Sequence, residues 1–270
     1  MRPALRVRAI PIFADNLAWL IENHAHRTAI LVDPADAGAC LAAIPADLEL
    51  VGVLTTHHHA DHSGGNAAIA AARAGLPILC GAADAGRVPA ATRALRPGEA
   101  FELGGVAFTA LHTPCHTQGH VCYFVPSTGA DSPPLVFTGD TLFSGGCGRF
   151  FEGDAAQMRT SLDALLALPS DTRVYCGHEY TQQNLRFCAA VEPGNAAVAA
   201  RAAECAALRA AGAPTLPSTL AVERATNVFL RTGEAAVRAF AFPQLAEGER
   251  AALGDDAVLQ ALREAKNGFK

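Results

Sequence analysis

Between residues 5 and 178 the chain is written in short apolar or alternating runs, each closed by Gly, Pro, Asp or Asn. Such runs predict strands, because successive side chains on an extended chain face opposite ways and turn residues end the pattern. They fall at residues 5–10, 17–21, 28–32, 51–55, 77–80, 106–111, 121–125, 135–138 and 173–176. Segments 37–44, 64–74 and 155–168 have helical spacing instead. In the last of these Asp154 is placed to cap the helix, and Leu162, Leu165 and Leu166 share one face. Past residue 178 the texture changes. Segments 179–191, 196–211 and 255–268 are Ala-rich and read as helices, strand runs stop, and 212–218 is a Pro-rich connection. The pattern predicts a strand-rich mixed domain over 1–178 followed by a helical domain over 179–270, with no internal repeat.

Composition narrows the class. Of 270 residues, 50% are hydrophobic and 17% charged, which excludes a disordered chain. No apolar run approaches the roughly 20 residues of a membrane span. The opening MRPALRVRAIPIF lacks the apolar core and small-residue cleavage site of a secretory leader. A cytoplasmic protein without a membrane partner is the expectation. Net charge is −5, so no basic face invites nucleic acid. Residues 1–178 carry 11 basic and 16 acidic side chains, hence the whole excess of −5, while 179–270 carry 10 of each. Bound cations in the first part would offset that excess. Eight cysteines include no C-x-x-C pair, and a chain this long needs no disulfide staples, so they are expected to be reduced.

The chemistry is concentrated in Thr55-Thr56-His57-His58-His59-Ala60-Asp61-His62-Ser63-Gly64-Gly65. On an extended segment His57 and His59 point the same way and His58 the other. Asp61 and His62 follow at the turn into a helix, where the two glycines permit a tight bend. Three further ligand-type residues stand at predicted strand ends: His116 in TPCHTQGH, Asp140 in FTGDT and His178 in YCGHEY. Ligands gather at the carboxyl ends of strands in such architectures. Seven N and O donors exceed the needs of one tetrahedral ion and suit two ions sharing a carboxylate. The remaining histidines have ordinary readings: turn residues (His24, His26), an outward side chain (His58), and two that flank the His116 loop (His112, His120), with orientation of ligands as the alternative for the last pair. Cys115 and Cys147 lie near the motifs, without a cysteine partner at ligand spacing.

The H-x-H-x-D-H run with the later His, Asp and His resembles the metallo-β-lactamase superfamily. The segments GGCGRFFEG (145–153), CGHEYT (176–181), PSTL (217–220), TNVFLR (226–231) and REAK (263–266) make it most similar to the glyoxalase II, or hydroxyacylglutathione hydrolase, family. The resemblance implies an α+β fold, a four-layer αβ/βα sandwich followed by a small all-α C-terminal domain. It implies two divalent ions per chain, zinc first, with iron or manganese also compatible. One ion falls to His57, His59 and His116, the other to Asp61, His62 and His178. Asp140 bridges them, and a metal-bridging hydroxide acts with Asp61 and Asp140 as the catalytic centre. The reaction implied is hydrolysis of S-(2-hydroxyacyl)glutathione, chiefly S-D-lactoylglutathione to D-lactate and glutathione, the second step of methylglyoxal detoxification. The residues agree with that chemistry. Bound zinc lowers the pKa of water from about 15.7 to about 7, and a thiolate, whose thiol has a pKa of about 8.5, leaves without a general acid.

By the same resemblance Arg149, Phe151, Tyr180, Arg263 and Lys266 contact glutathione, with Arg263 and Lys266 on one face of the last helix holding its glycine carboxylate. Lys266 and Lys270 are the chain's two lysines. Phe151 stands where some members have a tyrosine, which puts the loss of one hydrogen bond, about 0.5–1.5 kcal/mol, against glutathione affinity. Val228 stands where proline is common. The rival readings are a single-iron enzyme similar to persulfide dioxygenase, a β-lactamase, a non-enzymatic metal binder and an RNA-processing nuclease. The complete second ligand set and the R-x-x-K tail argue against the dioxygenase. Asp140, where β-lactamases typically place a cysteine, argues against the second. The intact ligand set argues against the third, and the acidic charge against the fourth. With no interface stripe visible, the expectation is a monomer.

Overall fold

A computed structural model describes residues 5–127, 129 and 132–269. Lys270, the second lysine, lies outside the described residues. The chain opens with β1 (Leu5–Ile12), β2 (Asn16–Asn23), β3 (Thr28–Val32), α1 (Ala37–Ala42), β4 (Glu49–Leu54), α2 (Ala60–Ser63), α3 (Asn66–Ala72), β5 (Ile78–Gly81) and β6 (Arg93–Leu95). These six strands form one sheet in sequence order, antiparallel through β3 and parallel from β3 to β6. Next come β7 (Ala100–Leu103), β8 (Val106–His112), β9 (Val121–Val125), β10 (Leu135–Gly139), a small hairpin of β11 (Leu142–Phe143) and β12 (Gly146–Cys147), α4 (Ala155–Leu166) and β13 (Arg173–Cys176). The rest is α5 (Thr181–Val191), α6 (Ala196–Ala210), β14 (Ser218–Thr219), α7 (Leu220–Thr226), α8 (Ala235–Ala241), α9 (Glu247–Ala251) and α10 (Asp255–Gly268). The second sheet has the order β14-β13-β10-β9-β8-β7.

The two sheets face one another. Trp19, Ile21, Ile30, Val32 and Leu54 of the first interleave with Phe108, Tyr123, Phe137 and Tyr175 of the second in one buried cluster. A second cluster packs Cys40 and Ile69 of α1 and α3 on the outer face of the first sheet. A third packs Met158, Leu162 and Leu165 of α4 on the outer face of the second. The expected four-layer αβ/βα arrangement follows. All of β2 is buried. Covered on both faces, that strand reads as a near-continuous apolar run rather than an alternation. Asp154 caps α4 as expected, accepting the Gln157 amide at 2.9 Å.

Three expectations need correction. Strands do not stop at residue 178: Ser218–Thr219 pairs antiparallel with β13, so the connection expected over 212–218 ends in an edge strand of the second sheet. The helix expected over 64–74 is the shorter α3, and the segment just before it forms a separate one-turn helix, α2, divided from α3 at Gly64-Gly65. Those glycines keep ordinary helical angles, and what demands them is space. A Cβ on Gly65 would stand 2.0 Å from the Pro34 carbonyl oxygen. Helices α7, α8 and α9 and the strands β6, β7, β11 and β12 are too short to show a period in sequence. The tail is otherwise helical and shares its core with the second sheet: Leu220, Val228, Leu259 and Leu262 pack in the cluster that holds Val136 and Val174.

Candidate metal centre

The seven expected donors meet at one edge of the sandwich. His57 and His59 leave β4, Asp61 and His62 stand on α2, His116 follows β8, Asp140 follows β10 and His178 follows β13. Two trios form. His57 Nε2 and His116 Nε2 each lie 3.0 Å from His59 Nδ1. In the other, His62 Nε2 and His178 Nε2 are 3.3 Å apart, with Asp61 Oδ2 at 3.8 and 3.6 Å from them. Asp140 lies between: Oδ1 is 3.3 Å from His62, and Oδ2 is 3.3 Å from His116 and 3.5 Å from His178.

Outer partners fix the rings. His116 Nδ1 donates to the Arg149 carbonyl (3.0 Å), so its Nε2 faces the centre. His178 Nδ1 meets Asp15 at 2.8 Å, and His62 Nδ1 meets Asp33 at 3.0 Å. Asp33 also accepts the amide and hydroxyl of Thr56, both at 2.7 Å, and Asn16 donates to Asp61 at 3.1 Å. Asp84 takes the outward His58 (3.0 Å) and the Thr117 hydroxyl (2.9 Å), tying the two histidine loops together. His120 Nε2 accepts the Asp140 amide at 3.1 Å and so braces the backbone of that donor. His112 instead reaches the Gln118 carbonyl, and His24 and His26 occupy the β2–β3 turn. Asp15, Asn16, Asp33 and Asp84 escaped the sequence reading. The faint signal for Asp33 was a carboxylate directly after a strand. Asp15 and Asn16 had none, because their role is a contact with residues more than 40 positions away.

Electrostatics sorts the donors. Burial holds His57 well below the ordinary histidine pKa and, with His116, brings His59 to about 4, so both present neutral rings. Burial likewise lowers His116. At His62 burial pulls down, but Asp140 and Asp33 outweigh it and hold the ring well above its ordinary value. At Asp140 burial pulls up, and His62 and His178 outweigh it, keeping the carboxylate ionised.

These residues fit metal ions. Nitrogen donors about 2.0–2.1 Å from a tetrahedral ion stand roughly 3.3 Å apart, close to the spacings here. Asp140 Oδ1 is fully buried with no hydrogen-bond partner among the described residues, a costly state that a cation relieves. Cys115 and Cys147 are free, buried and outside every donor group found among the described residues.

A cavity of about 690 Å³ opens over the centre. Its lining brings together the expected substrate residues Arg149, Phe151, Tyr180, Arg263 and Lys266. Arg263 and Lys266 are each 9% exposed, deep for two cations. Arg263 donates to the Cys147 carbonyl (2.7 Å) and lies over Phe229, yet its Nε has no partner among the described residues. Lys266 sits between Phe187 and Phe269, and burial, then Arg263, lowers its pKa to about 8. Tyr180 stacks on His178 at 4.6 Å, while Phe151 is 59% exposed with its ring 5.1 Å from that of His116. A groove of about 750 Å³ beside α1 and α3 is slightly larger, but its lining holds no group of metal donors.

Family models divide the chain between them: the metallo-beta-lactamase superfamily matches residues 13–178, and hydroxyacylglutathione hydrolase C-terminus matches 179–269. The chain belongs to the hydroxyacylglutathione hydrolase family. A hydroxyacylglutathione hydrolase of Cupriavidus taiwanensis is 49% identical over 87% of this chain and 90% of its own length. That of Cupriavidus metallidurans is 45% identical over 98% of this chain and 100% of its own. Among solved structures, TTHA1623 in a di-iron-bound form is 32% identical, with a TM-score of 0.53 over 63% of this chain and 91% of that one. The fold, the thioester-hydrolase class and a metal-binding His and Asp cluster therefore stand together.

Proposed function

We propose that the chain hydrolyses S-(2-hydroxyacyl)glutathione, chiefly S-D-lactoylglutathione to D-lactate and glutathione. The observation that carries this reading is the pair of buried cations, Arg263 and Lys266, in the cavity that is also lined by five of the seven donors, His59, Asp61, His116, Asp140 and His178. Cations without a carboxylate partner among the described residues suit an anionic substrate. His57, His59 and His116 would hold one divalent ion, Asp61, His62 and His178 a second, with Asp140 shared. Bound there, zinc or iron would supply Lewis acidity and a water acidic enough to attack a carbonyl at neutral pH. The similar solved structure described as di-iron-bound supports two ions.

The chain's own residues do the rest. Arg263 and Lys266 hold the glycine carboxylate and fix the thioester over the donors. Tyr180, whose phenol burial keeps protonated, and Arg149 line its path. Phe151 covers His59 and His116 as an apolar lip and offers no hydroxyl to the peptide. Asp61 and Asp140 place negative charge beside the attacked carbon, orienting the water's proton. The thiolate leaves without an acid.

The reading extends to domains 1–178 for the centre and 179–270 for the substrate, and to a cytoplasmic monomer without nucleic-acid or membrane partners. Eight free, buried cysteines support a reducing compartment, and no helix among the described residues is long and apolar enough to cross a membrane. The test is thioester loss from S-D-lactoylglutathione by metal-loaded protein, beside a β-lactam control. Hydrolysis of the first alone is expected. Hydrolysis of the lactam alone would overturn the reading.

A further inference from the structure

A second cavity, of about 620 Å³, opens beside the first, and Tyr180 and Gln183 line both. Its walls are the β1–β2 turn, with Phe13 and Asp15, and the α5–α6 side, with Arg186 and Arg209. Neither arginine enters an ion pair among the described residues; Arg209 makes only a long 3.4 Å bond to the Ala213 carbonyl. Asp15 gives one oxygen to His178 and stays 41% exposed. Phe13 is 65% exposed at φ 52°, a left-handed angle that a bulky side chain adopts at a cost.

Resting on the thioester reading, we propose that this cavity receives the γ-glutamyl end of the glutathionyl group. Its α-carboxylate meets Arg186 and Arg209, and its α-ammonium meets Asp15. Glutathione carries carboxylates at both ends with the reacting sulfur between them. Arg263 and Lys266 serve one end, and with the sulfur over the donors the other end can extend past Tyr180 and Gln183, which line both cavities. An amino-acid terminus needs both signs of charge within a few ångströms. The wall at Arg263 and Lys266 offers cations alone, whereas the cavity beyond Tyr180 offers two guanidinium groups and a carboxylate. Guanidinium also grips a carboxylate bidentately.

The test uses S-D-lactoylglutathione and its two half-amides, one blocked at the glycine carboxylate and one at the γ-glutamyl α-carboxylate, with the metal-loaded full chain. The half-amides share one net charge, so long-range attraction treats them alike. Changing Arg186→Ala and Arg209→Ala together is expected to raise KM about fivefold for the parent and the glycine amide, with kcat unchanged. The γ-glutamyl amide should change less than twofold. Equal effects on both half-amides would mean general attraction and overturn the assignment. So would no effect on either, or an effect that follows the acyl group instead. Hydrolysis of none of the three by the unaltered protein would overturn the parent reading and this one with it.

Discussion

Asp140 touches both trios, with one oxygen toward His62 and the other toward His116 and His178. Asp140→Asn keeps the shape and removes the charge. Metal content is expected to fall from two ions per chain toward one, and turnover by more than about a hundredfold; elemental analysis beside an assay checks both. Gly177 is a second sensitive point. A Cβ there would stand 2.5 Å from the His62 ring and 2.7 Å from Asp140 Oδ1, so Gly177→Ala should lose metal while the far-ultraviolet signal stays intact. Lys266 gives the pH dependence. Its pKa is lowered to about 8, so it is charged below that pH and neutral above. KM is therefore expected to rise as pH passes about 8, by at most tenfold per unit, and a bound carboxylate shifts the rise upward. Lys266→Arg, charged throughout, should flatten it. The seven donors were legible because four ligand-type side chains within six residues are rarely accidental. Asp15, Asn16 and Asp33 were not, because nothing local marks a residue whose partner lies across the sheet.

At the scale of elements, Glu223 of α7 joins the tail to the catalytic edge. It is fully buried, accepts the Gly145 amide (2.8 Å) and the Ser218 hydroxyl (2.6 Å), and meets Asn227 Nδ2 at 3.2 Å. Asn227 in turn donates to the Gly146 carbonyl at 3.0 Å. Together they hold the β11–β12 hairpin, whose Cys147 carbonyl anchors Arg263. Glu223→Ala leaves several buried donors unpaired, at about 1–3 kcal/mol each. The expected result is a Tm lower by several degrees and a raised KM, read by calorimetry and kinetics. The longer strands and helices were legible from period alone, and 28–32, 121–125, 173–176 and 255–268 match their observed bounds. The two-residue strand β14 was not, since two residues carry no period and its pairing with β13 is set by tertiary contact.

Over the whole molecule, the sandwich brings four strand ends and α2 to one edge, and the tail closes that edge with cations. The charge division seen in sequence has a structural counterpart: the acidic part holds the donor cluster, and the neutral part supplies Arg263 and Lys266. The four-layer fold was legible through the resemblance, while the shared core of tail and second sheet was not, because an Ala-rich helix does not announce what it packs on. The central claim is that two ions, held by seven side chains, and the buried cations beside them form one thioesterase centre. Metal-stripped protein titrated with zinc, with bound metal and loss of S-D-lactoylglutathione followed on the same samples, tests it most directly. The account predicts that activity rises to a plateau at two ions per chain. Full activity at one ion, or none at two, would contradict it.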